Sequence, residues 1–135
     1  TFGDDVVAVL AAGDAGPAEV MIPKLLAPRT LEFGGPVVAR LMEMIGRASP
    51  QGIAAAQLGM AVRPDVRDQL GQIECPALVL AGAEDVISPP AEMAEIAAAL
   101  PNGRFVEIPT AGHMTPLENP GDVNAALAAF LDELP

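Results

Sequence analysis

The sequence predicts an α/β fold in which a run of helices precedes two strand–helix units of a parallel sheet. Three observations carry this. The composition changes near residue 70. The part before it shows helical periodicity broken by Pro and Gly, with no convincing strand. The part after it holds two short strand-like runs, each followed by a stretch that opens with proline and reads as a helix. Residues 1–70 are therefore assigned to a helical region and residues 71–135 to part of a sheet-bearing core.

In the first region, Asp4 or Asp5 can cap a short helix through Ala12. Pro17 opens a second helix to about Leu26. Pro36 opens a third, whose apolar positions Val37, Val38, Leu41, Met42, Met44 and Ile45 fit a period near 3.6. Ser49-Pro50 is a cap and first-turn pair for a fourth, through about Val62. Arg63-Pro64 ends it, because the residue before proline avoids helical geometry.

In the second region, Ala77-Leu78-Val79-Leu80-Ala81 lies between Pro76 and Gly82 and reads as a strand buried on both faces. Pro90 opens a helix with Met93, Ile96, Ala97 and Leu100 on one side, and Pro101-Asn102-Gly103 stops it. Arg104-Phe105-Val106-Glu107-Ile108 is the second strand. Asn119-Pro120 starts the last helix, with Val123, Leu127, Phe130 and Leu131 expected to face inward. Two parallel strands do not make a self-sufficient sheet. The remaining strands are expected in an upstream N-terminal portion, and the chain, opening Thr1-Phe2-Gly3, reads as the continuation of a longer one. By itself it is expected to be unstable or to self-associate.

The formal net charge of −11 repels phosphate backbones. There is no Trp or Tyr and there are four Phe, so platforms for stacking bases are scarce. Nucleic acid is not an expected partner. No apolar stretch approaches the roughly 18 residues of a membrane span, and no signal peptide is visible. A lone cysteine, Cys75, forms no internal disulfide, and the expected location is cytoplasmic. One His, one Cys and no ligand-spaced cluster predict no metal, and without a Gly-rich phosphate loop no cofactor is expected.

The chemistry gathers in two loops. Gly82-Ala83-Glu84-Asp85-Val86-Ile87-Ser88 follows the first strand, and Pro109-Thr110-Ala111-Gly112-His113-Met114 follows the second. Both leave the carboxyl ends of strands expected to be parallel, the edge where open α/β sheets bind ligands. A hydroxyl nucleophile is weak until a base takes its proton. Imidazole does this near neutral pH, and a carboxylate fixes its tautomer and stabilises the imidazolium.

Residues 73–135 resemble the C-terminal section of the α/β-hydrolase superfamily. The resemblance rests on Ile73-Glu74-Cys75-Pro76-Ala77-Leu78-Val79-Leu80-Ala81-Gly82-Ala83-Glu84-Asp85, on Pro89-Pro90, on Ala111-Gly112-His113, and on Leu117-Glu118-Asn119-Pro120 leading to Phe130-Leu131. It implies that Asp85 is the acid and His113 the general base of a catalytic triad. It also implies that residues 1–70 are the helical cap these enzymes insert before the acid-bearing strand. Ser49 to Asp65 is similar to the enol-lactonase and arylesterase-like branch. The nucleophile elbow Gly-x-Ser-x-Gly, which precedes the cap in family order, is absent. Ser49 and Ser88 are the two serines here; Ser49 reads as a cap and Ser88 precedes two prolines.

The expected function is therefore ester or lactone hydrolysis by Ser-His-Asp acyl transfer, on a small, uncharged or weakly polar substrate. The nucleophile would come from the upstream half, and this chain alone is expected to be inactive. An aspartate nucleophile acting on carbon–halogen bonds stays open, and so does a non-catalytic binding module of the same fold. Val86 and Met114, beside the two catalytic candidates, and Met60 and Met42, in the cap, are the candidate substrate contacts. Met21, Met42, Met44 and Met60 also suit an ordinary helix core. Glu84 is the nearest rival to Asp85. Cys75 reads as a buried small hydrophobe, and Arg63, Asp65, Arg67 and Asp68 as a solvated helix end with local ion pairs.

Overall fold

The structure, a computed structural model, describes residues 16–134. The helix expected from Asp4 or Asp5 to Ala12 lies outside the described residues. Among the described residues four helices come first: α1 Gly16–Leu25, α2 Pro28–Phe33, α3 Gly35–Gly46 and α4 Pro50–Ala61. A 3₁₀ turn, Arg67–Gln72, leads to strand β1 Ala77–Gly82. Helix α5 Pro90–Ala99, strand β2 Gly103–Ile108, the one-turn helix α6 Thr115–Glu118 and helix α7 Pro120–Asp132 follow.

The proline-opened helices start where local chemistry places them. The Ser49 side chain accepts from the Gly52 N–H at 3.0 Å and caps α4. Asn119 accepts from the Asp122 N–H at 3.3 Å and caps α7. Proline sits in the first turn of both, where its missing donor costs nothing. Helix α2, the 3₁₀ turn and α6 were not anticipated. Each is six residues or fewer, too short for periodicity to show.

Strands β1 and β2 pair in parallel, with Val79 opposite Phe105 and Leu80 opposite Val106. Successive side chains on a strand point to opposite faces. Val79 and Phe105 pack with Ala97 of α5 and with Leu100, just past its end, on one face. Leu80, Val106 and Ile108 pack with Ala111 and Val123 of α7 on the other. Among the described residues the sheet has these two strands, each covered by a helix on either side.

The helical region has a core of its own: Ile22, Leu26 and Leu41, joined by Leu25, Val37, Val38 and Ile45. Met114, from the loop after β2, packs against this cluster and ties the two regions together. No helix among the described residues is long and apolar enough to cross a membrane.

Three burial expectations need correction. Cys75 is exposed, because it precedes β1 in the connecting segment instead of entering the sheet. Leu127 and Leu131 are exposed as well. Helix α7 turns Val123 fully inward and Phe130 half-inward, seven residues apart and so on one face, which leaves Leu127 and Leu131 at its margin.

Candidate active site

Asp85 and His113 meet at the carboxyl ends of the two paired strands. The parallel register aligns Gly82 with Ile108, so both loops leave the sheet at one level. They then run against each other. The Ala83 N–H donates to the Ile108 carbonyl at 2.9 Å, and the Glu84 N–H donates to the Ala111 carbonyl at 3.0 Å. Gly82 is required at this crossing: a Cβ there would lie 2.2 Å from the Gly112 carbonyl oxygen and 2.3 Å from that of Ala111.

Each oxygen of the Asp85 carboxylate has its own task. Oδ1 accepts from the backbone N–H groups of Ile87, at 2.8 Å, and Ser88, at 2.9 Å. Oδ2 lies 2.9 Å from Nδ1 of His113. The local backbone turn and the histidine contact therefore exist together. The turn immobilises the carboxylate that faces the ring. Asp85 is buried, its side chain 5% exposed, and the His113 side chain is 35% exposed. A carboxylate only accepts, so Nδ1 is the protonated nitrogen of the neutral ring and Nε2 keeps the free lone pair. That nitrogen is the one able to take a proton from a reacting group. Glu84, the rival acid, is exposed and one residue removed from this contact.

The histidine loop is held from its other side by Glu118. Its Oε1 accepts from the Gly112 N–H at 2.9 Å and the Met114 N–H at 3.2 Å, and its Oε2 accepts from the Ala27 N–H at 2.8 Å. Sequence reasoning placed Glu118 in the family-like tail and gave it no role. Its partner Ala27 is 91 residues away, beyond any local pattern. Thr110, which enters the same loop, has a φ of 55°. That is the left-handed region, uncommon for a β-branched residue. The Asn119 side-chain amide donates to the carbonyl of Pro109 next to it at 3.0 Å.

The four candidate substrate contacts fall in different places. Val86 follows Asp85 and is exposed. Met114 is half-buried against the helical core. Met42 and Met60 are 47% and 46% exposed on α3 and α4. An apolar groove of about 320 Å³ runs between the helices, and Met21, Leu25, Leu41, Met44 and Ile53 line it; Met42 and Met60 do not. Away from the site, Arg67 and Asp65 form the expected local ion pair, which holds the Asp65 carboxyl at about 2, below the usual carboxylate range. Among the described residues no group of three His, Cys, Asp or Glu side chains is gathered to hold a metal ion.

The family model described as alpha/beta hydrolase fold matches residues 37–120. A thermophilic esterase from Thermogutta terrifontis is 41% identical, superposes with a TM-score of 0.88, and is matched over 98% of this chain and 50% of its own. The enol-lactonase from Burkholderia xenovorans superposes with a TM-score of 0.90 at 24% identity, over 98% of this chain and 50% of its own, a likeness of fold. The pimeloyl-[acyl-carrier protein] methyl ester esterase of Chromobacterium violaceum is 36% identical over 90 residues, which are 67% of this chain and 35% of that protein. The chain thus spans about half the length of the solved structures it resembles. It belongs to the α/β-hydrolase fold family.

Proposed function

We propose that this chain supplies the acid and the base of an esterase or lactonase that works by acyl transfer. The observation that carries the reading is the 2.9 Å contact between a buried Asp85 carboxylate and a partly exposed His113 ring. In this reading a nucleophilic serine outside residues 1–135 attacks the ester or lactone carbonyl. Nε2 of His113 takes the serine proton as the tetrahedral intermediate forms. Asp85 stabilises the imidazolium through Nδ1 and keeps the ring in the useful tautomer. His113 then returns the proton to the leaving alkoxide, and an acyl-enzyme remains for water to hydrolyse by the same proton route. The amides that bind Oδ1 of Asp85 keep its charge in place, so little reorganisation is needed when the ring becomes positive.

The helices of residues 1–70 act as the cap in this proposal. Val86 and Met114 flank the reacting groups. The groove beside Leu25 and Met44 takes the apolar part of a small, uncharged substrate. Support for an ester comes from the Thermogutta terrifontis esterase, similar over 98% of this chain. The test is hydrolysis of short-chain p-nitrophenyl esters by the full-length protein and its His113→Ala variant. The expected loss in kcat is on the order of 10⁴-fold or more. Hydrolysis that survives the substitution overturns the assignment.

A further inference from the structure

We propose that Glu118 is a positioning residue for His113, a strut that transmits the packing of the helical region to the imidazole. The inference builds on the reading of His113 as the general base. Asp85 fixes the ring by its nitrogen. Nothing in that contact fixes the peptide frame that carries the ring. Glu118 does so: Oε1 accepts from the two N–H groups on either side of His113, those of Gly112 and Met114.

The other oxygen reaches across to the helical region. Oε2 accepts from the N–H of Ala27, a residue with no exposed surface, so that donor has no water to turn to. The Met114 N–H also donates to the Leu25 carbonyl at 3.2 Å. Gly112 makes the close approach possible: a Cβ there would lie 2.7 Å from the Ala27 nitrogen and 2.9 Å from the Leu26 carbonyl carbon. One carboxylate therefore joins the turn between α1 and α2 to both flanks of the histidine. Leu25, at the end of α1, also lines the apolar groove. A substrate seated in that groove touches the element whose next turn sets the histidine frame.

The experiment uses the full-length protein with Glu118→Ala and Glu118→Gln. Steady-state ester hydrolysis is measured together with the proton resonance of the His113 Nδ1–H, assigned by its loss in His113→Gln. Glu118→Ala is expected to lower kcat about 10- to 100-fold, the scale of a misplaced catalytic group, with KM within about twofold. It is also expected to shift or broaden the Nδ1–H signal. Glu118→Gln keeps one oxygen for the flanking amides and loses the acceptor for Ala27, so kcat and signal fall between parent and Ala. A parental kcat and signal in Glu118→Ala overturns the proposal. So does a loss of activity that tracks melting temperature while the signal stays in place. If Glu118→Ala does not fold, Glu118→Gln decides, and an unmoved signal there overturns it. Hydrolysis that persists in His113→Gln refutes the base assignment instead, and the Nδ1–H signal in the Glu118 variants still answers for the strut.

Discussion

The helical region and the strand-bearing region are built on different logics. In the helical region, apolar residues of α1 and α3 gather with Leu26 in a cluster around Ile22 and Leu41, while Phe33, Leu58 and Val62 stay exposed. Around β1 and β2 the apolar residues lie in layers on two faces of a sheet, and the polar chemistry sits on the loops at its end. The helical region carries the apolar groove, and the strand-bearing region carries the Asp85–His113 contact. Among the described residues, α1 to α4 meet the strand-bearing region at the histidine loop, through Met114 and Glu118. A site assembled in this way depends on the junction more than on either core.

The largest effect on stability is expected where the loops after β1 and β2 cross beside the histidine. Gly82→Ala would push a methyl group to 2.2 Å from the Gly112 carbonyl oxygen, and backbone on both sides must move. A loss of about 3 kcal/mol or more is expected in chemical denaturation of the full-length protein. A loss under about 1 kcal/mol would show that the two loops adjust freely and that the crossing is not a constraint.

Next come the two cores, compared directly. Ile108→Ala and Leu41→Ala each empty a buried aliphatic site, 1% and 3% exposed, and a cost of about 2–5 kcal/mol is expected for each. Hydrogen exchange separates them. Ile108→Ala should speed exchange across β1, β2 and α7, and Leu41→Ala across α1 and α3. Equal acceleration everywhere in both variants would show one cooperative unit and remove the distinction.

The smallest effect belongs to Asp65, on the solvated approach to the sheet. Its carboxyl is held at about 2 first by the side-chain hydrogen bond from Arg67 and then by the Arg67 backbone N–H. A folded value below the free carboxylate value means that this interaction favours the fold above about pH 4. The gain disappears as pH falls toward 2. Both side chains are exposed, so screening leaves little of the pair in the stability of the whole. Arg67→Ala should return the Asp65 carbon resonance to an ordinary carboxylate titration with no measurable change in melting.

Much of this organisation is legible in sequence because it is encoded locally. Ser49-Pro50 and Asn119-Pro120 announce helix starts within four residues, and the structure uses both side chains as caps. The alternation of β1 and β2 with helices predicts parallel pairing, and parallel pairing brings Asp85 and His113 to one edge. What stayed hidden depends on distant contacts. Helix α6 is a single turn, and its Glu118 finds a partner on the far side of the chain at Ala27. Cys75 is exposed although cysteine usually avoids water, because its place is decided by where the sheet begins and not by its own transfer preference. Leu127 and Leu131 read as inward from helical spacing, yet the neighbours available to α7 cover only the Val123 side.

In the proposed mechanism the Asp85 carboxylate acts through Nδ1 of His113. Asp85→Asn keeps the size of the side chain and the acceptor for Ile87 and Ser88, while the amide group facing the ring favours the wrong tautomer. Steady-state ester hydrolysis by the full-length Asp85→Asn protein is expected to show kcat reduced about 10⁴-fold with the fold intact by circular dichroism. A kcat within about threefold of the parent, in a protein equally well folded, would contradict it.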